Sequence, residues 1–493
     1  MPAHTPDAAA APAVETYPVL IGGQRRLAAS GETIDARNPA TGALIGRFPR
    51  CGAADVAAAV EAARAAFPAW RATPATERAA KLLELVEALG RRQEDLARMD
   101  AADNGSPLRD MRIDVAIGMA ELRYFAGLAL QLRGETIPVA NGRLNYTLRE
   151  PYGVVGRIVP FNHPILFATM KIGAPLVAGN TVVLKPSEQT SLSTLVLAEE
   201  LARIFPPGVI NVVTGYGAEA GDALVAHPDV PRVAFIGLAE TGRAIQARAA
   251  GVAVKHVTLE CGGKNPIVVF PDADLEAALE GVVRGMNFSF QGQSCGSTSR
   301  LIVHEDIHAT FVEALAERID GLRVGLPELE TTQVGALVSQ AQLDKVQGYV
   351  ELGRWEGATL VAGGTRPDAP ELADGFFIRP ALFDKVEPRM RLAREEIFGP
   401  VLAVMPFRDG AHALELANDT SFGLTASVYT SDLRTAHAFA RDVEAGFVWI
   451  NDSGRHFLGT PFGGFKESGL GREEDTEELY SYTQTKNVNV LFE

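Results

Sequence analysis

Val154-Val-Gly-Arg-Ile-Val159, Thr181-Val-Val-Leu184, Val209-Ile-Asn-Val-Val213, Val233-Ala-Phe-Ile236, Val254-Lys-His-Val-Thr-Leu259 and Ile267-Val-Val-Phe270 are six short runs rich in Val and Ile, most of them separated by helical-length stretches. Strands covered on both faces read as near-continuous apolar runs. Their alternation with helices predicts βαβ units, a mostly parallel sheet and an α/β fold. Upstream, Asp55 to Ala66 and Glu77 to Met99 carry helical apolar spacing, as in Val56, Val60 and Ala63 and then Leu82, Leu85, Val86 and Leu89. Downstream, a second α/β section runs from about Gly262 to Phe462, with strands expected at Arg300–Val303, Val401–Met405 and Gly446–Ile450. Two stretches differ, Gly134–Glu150 and Tyr480–Phe492. Both are rich in Thr, Asn and Tyr and read as extended chain without a clear core face.

The 493 residues suffice for two or three folding units. A formal charge of −15 argues against nucleic acid or an anionic membrane as partner, because each selects a basic face. The three cysteines, Cys51, Cys261 and Cys295, lack the even count of a disulfide framework, and no CxxC or His-rich pair suggests a metal. The opening MPAHTPDAAAAPAVE has no arginine and no long apolar core, so it reads as a loose tail. No uncharged run of about 18 apolar residues exists to span a membrane. A cytoplasmic protein is the expectation.

Three segments carry candidate chemistry. Phe290-Gln-Gly-Gln-Ser-Cys-Gly-Ser-Thr-Ser-Arg300 sets Cys295 among small polar residues, which leave a thiol accessible and let backbone N–H groups approach a bound oxygen. A lone cysteine is more often a small buried hydrophobe, but such cysteines sit in apolar runs. In Thr258-Leu-Glu-Cys-Gly-Gly-Lys-Asn-Pro266, Glu260 ends an apolar strand at a Gly-Gly turn, and by itself it reads as a solvated strand end. In Pro160-Phe-Asn-His-Pro164, Asn162 alone reads as a turn residue.

Together these segments resemble the aldehyde dehydrogenase superfamily, from about Tyr17 to the C-terminus. PFNHP, KPSEQT, LECGGKNP, GQSC, EEIFGP and PFGGFKESGLGRE occur in the family's order and near its spacing. The resemblance implies that Cys295 is the nucleophile that forms a thiohemiacetal. It implies that the Asn162 side chain, with the Cys295 backbone N–H, holds the resulting oxyanion. Glu260 matches the general base for thioester hydrolysis, and Glu473 a second, proton-relaying carboxylate. His163, Phe167, Met170 and Phe457 match positions near the substrate tunnel and suit an apolar or aromatic aldehyde. Core packing is the plain alternative for that set.

No G-x-G-x-x-G follows a strand, so the usual dinucleotide fingerprint is missing. Phe235-Ile-Gly-Leu-Ala-Glu-Thr-Gly242 resembles the family's wider pair, with Gly237 and Gly242 and a helix start aimed at pyrophosphate. Leu238 stands where the family commonly has a small hydroxyl residue, which removes a phosphate hydrogen bond. By the same resemblance Lys185 and Glu188 hold the adenosine ribose, and Glu396 and Phe398 contact the nicotinamide ribose and ring. NAD is the implied cofactor, with NADP disfavoured by Glu188. Cys261 alternates away from the Glu260 face and reads as packing.

The resemblance implies a Rossmann-type cofactor domain (residues 1–128 and 152–261), a catalytic domain (262–463) and a β oligomerisation arm (129–151 and 479–493). A homodimer or homotetramer follows from it. Three rival readings stand beside the NAD-dependent oxidation of an aldehyde to a carboxylate. In an enzyme that acylates coenzyme A, a hydrolytic base such as Glu260 would have no use. An idle binding or structural protein would not need Cys295, Glu260 and Asn162 together. A cofactor-free cysteine esterase would leave KPSE and EEIFGP without purpose.

Overall fold

A computed structural model describes residues 14–492. All but the last two residues of the N-terminal tail lie outside that range. The expected strands form with shifts of one or two residues at their ends, because β-branched runs bury both faces. In Val154–Ile158 and Thr181–Lys185 every residue is buried. An eight-stranded sheet runs in the order Gln24–Arg26, Val19–Ile21, Ile210–Val212, Thr181–Lys185, Val154–Ile158, Arg232–Gly237, His256–Cys261 and Gly469–Leu470. Its five central strands are parallel, and antiparallel strands close both edges.

A second sheet of seven strands runs Thr359–Ala362, Ala381–Asp384, Val401–Phe407, Arg300–His304, Pro266–Val269, Thr425–Tyr429 and Phe447–Ile450. Only its first strand is antiparallel. Helices such as Leu275–Gly285 and Gln340–Glu356 cover it, and their apolar faces join its two sides to separate buried clusters.

The helix expected over Glu77–Met99 is two helices, Ala75–Arg91 and Gln93–Asn104, broken at Arg92. Gly90 weakens the helix just before the break. The second helix then buries a different face, through Leu96, Ala97 and Ala101, and ends on Gly105 in the left-handed region.

The two unusual stretches meet. Thr483–Leu491 pairs antiparallel with Arg143–Pro151 along nine residues, from Thr483 opposite Pro151 to Leu491 opposite Arg143. Thr136–Ile137 completes this three-stranded ribbon, leaving the other edge of Thr483–Leu491 unpaired within the chain.

Candidate active site

The central strands of the larger sheet read 3-2-1-4-5 in chain order, counting from Val154–Ile158 as the first. Connections leave the first and fourth strands in opposite directions, which opens a crevice beyond their carboxyl ends. The singled-out segments emerge on that side. Asn162 and His163 follow the first strand, Lys185 ends the second, Gly237 ends the fourth, and Glu260 lies near the end of the fifth.

Cys295 sits on an irregular loop after the turn Phe288–Phe290, with Asn287 and Gln291 both in the left-handed region. Asn265 fixes this loop from the next strand. Its Nδ2 donates to the carbonyls of Cys295 at 2.8 Å and Ser297 at 3.0 Å, while its Oδ1 accepts from the Thr425 N–H at 3.0 Å. Nothing local in LECGGKNP announces that Asn265 reaches residue 295.

The Cys295 thiol donates to Glu260 Oε1 at 3.1 Å. Burial, and then the Glu260 charge, push this thiol well above its ordinary value. Burial chiefly, with the Glu473 charge, raises Glu260 to about 7, against the opposing pull of Lys171 and the thiol hydrogen bond. The contact gives the thiol proton a path to the carboxylate, although with these shifts the proton rests on sulfur until the carbon–sulfur bond forms. The other two cysteines are buried, and burial raises Cys51 to about 11 and Cys261 to about 12. Cys261 packs against Gly242, where an added Cβ would lie 3.1 Å from its sulfur.

Asn162 is buried, and its carbonyl accepts from Asn104 Nδ2 at 2.8 Å. Its side-chain Oδ1 is buried without a partner among the described residues. A buried amide oxygen without a donor is unusual in a native interior and fits a side chain that completes its bonding on a ligand, whereas an oxyanion could be met only by the Nδ2 of the same amide.

Glu473, expected as a proton-relaying carboxylate, is buried among cations. It is clamped by Arg157, whose two terminal nitrogens donate to its oxygens at 2.7 and 3.0 Å, and Lys171 Nζ lies 2.8 Å away. Although burial alone would raise it, these cations hold the carboxyl far below the usual range. A carboxylate so held carries no proton at neutral pH. Its neighbour Glu474 faces the substrate side instead, lining the main cavity beside His456 at 3.4 Å.

That cavity, about 890 Å³, reaches Cys295 and Glu260 and takes in all four expected tunnel residues, His163, Phe167, Met170 and Phe457. Phe290, Trp449 and Phe462 extend the aromatic wall, and Ile113 and Ile117 of the helix Leu108–Gly127 form the opposite side. This helix was not anticipated. Its buried Asp114 and Glu121 interrupt the apolar stripe that marks a helix in a sequence.

On the cofactor side, Lys185 is buried with Nζ donating to the Pro186 carbonyl at 3.0 Å and lying 3.5 Å from Glu188. Gly237 leads into the helix Ala239–Ala250, whose N-cap is Leu238, half exposed and offering no side-chain cap. Gly242 is one turn inside that helix, and its closeness to Cys261 and Leu259 makes it a helix–strand packing glycine. Glu396 Oε1 accepts from the Gly263 N–H at 3.0 Å, so the Gly-Gly turn after Glu260 anchors it. Phe398, at a positive φ of 58°, meets Phe161 edge-on with centroids 5.6 Å apart. Glu396 and Phe398 thus stand between the thiol loop and PFNHP.

Among the described residues no group of three or more His, Cys, Asp or Glu could hold a metal ion, and no helix is long and apolar enough to cross a membrane.

The model of the aldehyde dehydrogenase family matches residues 27–488. Aldehyde dehydrogenase tropH of Talaromyces stipitatus is 44% identical over 460 residues, covering 92% of this chain and 89% of the relative. Hydroxyisobutyraldehyde dehydrogenase of Mycolicibacterium austroafricanum is 44% identical over 481 residues, covering 97% and 94%. The solved NAD+ complex of aldehyde dehydrogenase from Bacillus cereus superposes with a TM-score of 0.94 at 40% identity, covering 97% of each chain. With the thiol–carboxylate pair lining the cavity and the family model matched over nearly the whole chain, the protein belongs to the aldehyde dehydrogenase family.

Proposed function

We propose that the chain oxidises an aldehyde to a carboxylate with NAD, through a thioester on Cys295. The observation that carries this reading is the 3.1 Å contact between the Cys295 thiol and Glu260 at the end of an apolar cavity. Glu260 takes the thiol proton as sulfur attacks the aldehyde carbon, and the Asn162 amide and the Cys295 N–H receive the oxyanion. NAD, when bound, supplies the hydride acceptor that turns the thiohemiacetal into a thioester. Glu260, relieved of its proton, then draws a proton from water that attacks the thioester, and the carboxylate product leaves a restored thiol.

Fit to the dinucleotide rests on the crevice at the strand-order reversal, the helix start after Gly237, the Lys185–Glu188 pair, and Glu396 with Phe398 beside the thiol loop. We assign Gly242 to packing rather than to phosphate contact. We keep the division into residues 1–128 with 152–261, 262–463, and 129–151 with 479–493, although the strand Gly469–Leu470 of the first sheet lies outside all three. The aromatic wall favours an apolar or aromatic aldehyde. The free edge of Thr483–Leu491 is suited to pairing with a second copy, in a homodimer or homotetramer.

Substituting Cys295→Ala tests the reading, with NADH formation and NAD binding as the readouts. Turnover is lost and NAD binding stays, whereas Cys51→Ala and Cys261→Ala remain active. Turnover at the wild-type rate in Cys295→Ala would remove the covalent mechanism.

A further inference from the structure

His163 stands among aromatic rings in the wall of the cavity, which also takes in charged side chains such as Glu121, Arg284 and Glu474. Its ring lies 4.4 Å from Phe290 and 5.5 Å from Phe167, centroid to centroid, and it lines the cavity that Cys295 and Glu260 share. Its Nδ1 is 2.8 Å from Asp114 Oδ2, and the Asp114 side chain is almost completely buried. That bond fixes the ring orientation and turns the opposite nitrogen, Nε2, away from Asp114. Nε2 has no hydrogen-bond partner among the described residues. A carboxylate behind an imidazole makes the far N–H a held donor, as it does behind a metal-ligating or catalytic histidine. An N–H held in one orientation in the cavity wall selects for an acceptor, because a ligand that leaves it unpaired forfeits a hydrogen bond once water is expelled.

We propose that His163, positioned by Asp114, is a specificity residue that receives an oxygen acceptor carried on the substrate a few bonds from the aldehyde carbon. The preferred substrates are then hydroxylated or carboxylate-bearing aldehydes rather than plain hydrocarbon ones. This rests on the aldehyde-oxidising reading above and refines its apolar substrate class: the aromatic wall packs the carbon skeleton and the imidazole reads its oxygen.

The charge state agrees with this. Burial alone would lower the imidazole, but Asp114 on the helix Leu108–Gly127, then Glu260 on its strand and Asp100 on the helix Gln93–Asn104, raise it above its ordinary value. A charged donor strengthens the bond to an anionic acceptor most and to a hydroxyl less.

The test uses the full-length enzyme with NAD and three aldehydes of one chain length: butanal, 3-hydroxybutanal and 4-oxobutanoate. The wild type is expected to prefer one or both oxygenated aldehydes over butanal in kcat/KM by about tenfold to a hundredfold. Preference for both marks a general acceptor site, and preference for 4-oxobutanoate alone marks an anion site. In His163→Phe, which keeps the ring and removes the donor, that ratio collapses toward one, chiefly through KM. In Asp114→Asn the wild-type preference survives at low pH and fades as pH rises through the ordinary imidazole range, because the charge is no longer held. A merely structural role for Asp114 would lower all three substrates alike with no change in the pH profile of the ratio. Equal kcat/KM for the three aldehydes in the wild type, or an unmoved ratio in His163→Phe, overturns the proposal while leaving the dehydrogenase reading intact. Absence of NADH from every aldehyde would instead overturn the reading beneath it.

Discussion

Glu260 and Glu473 are buried carboxylates of one charge network, and the fold sends them in opposite directions. Glu260 has the Cys295 thiol as its hydrogen-bond donor and is raised to about 7. Glu473 has the fork of Arg157 and the ammonium of Lys171, and is held far below the usual range. Burial is the largest single influence on both, and it raises both. The difference lies in what stands opposite. A thiol is a weak donor that leaves the carboxylate free to take a proton, whereas two buried cations keep it charged and immobile. The protonation of the same side chain is thus set by partners far away in sequence.

The widest separation between the two should come from neutralising each. Glu260→Gln is expected to lower steady-state turnover by about 10²–10⁴-fold while leaving thermal unfolding near the wild type. Glu473→Gln leaves Arg157 buried without its paired carboxylate and Lys171 with only Glu474, at 3.7 Å, a change of about 3–5 kcal/mol in stability, read as a lower midpoint in urea. If Glu473→Gln unfolds like the wild type and loses turnover as Glu260→Gln does, the contrast is wrong and Glu473 belongs to the chemistry.

A pH series sharpens the same contrast. Glu260 must be ionised to accept a proton, so kcat/KM is expected to fall about tenfold per pH unit below about 7 and to level off above it. Glu473 has its folded value depressed below the ordinary 4.5, so the stability it contributes is fully present above that pH and is lost as pH falls below it. Activity should therefore decline in a range where the fold remains intact. Coincident loss of activity and structure would merge the two transitions and remove the distinction.

The smallest effect concerns the cofactor edge. Glu188, 3.5 Å from Lys185 Nζ, faces the adenosine ribose in the proposed binding mode, where the 2′-phosphate of NADP would meet its charge. Two unit charges about 4 Å apart repel by about 4 kcal/mol at an effective dielectric of 20, and a third of that is about tenfold. Glu188→Ser is expected to move the NAD/NADP ratio of kcat/KM about tenfold toward NADP. A ratio that stays put would take Glu188 away from the ribose.

The sequence was most legible where one local rule acted alone. Runs such as Val154–Ile158 and Thr181–Lys185 are β-branched and buried on both faces, so their strands could be read directly. The thiol segment and the Gly-Gly turn carried enough local chemistry to bring Cys295 and Glu260 forward. What escaped were features made by distance. Arg157 and Glu473 lie 316 positions apart, and no local pattern announces their pairing. The helix Leu108–Gly127 hid because Asp114 and Glu121, which serve the cavity, break its apolar stripe. The strand Val19–Ile21, next to the sheet edge, has three residues, too few to show a period.

The most direct test of the central claim is mass spectrometry of the covalent state. Glu260→Gln, mixed with aldehyde and NAD at alkaline pH, where the thiol can lose its proton to solvent without the carboxylate, and quenched in acid at steady state, should carry one acyl group per chain, on the peptide that contains Cys295. Wild type under the same conditions should carry less, because its thioester is hydrolysed. An acyl group on Cys261 or Cys51, or continued turnover with no adduct on Cys295 in either protein, would contradict the account.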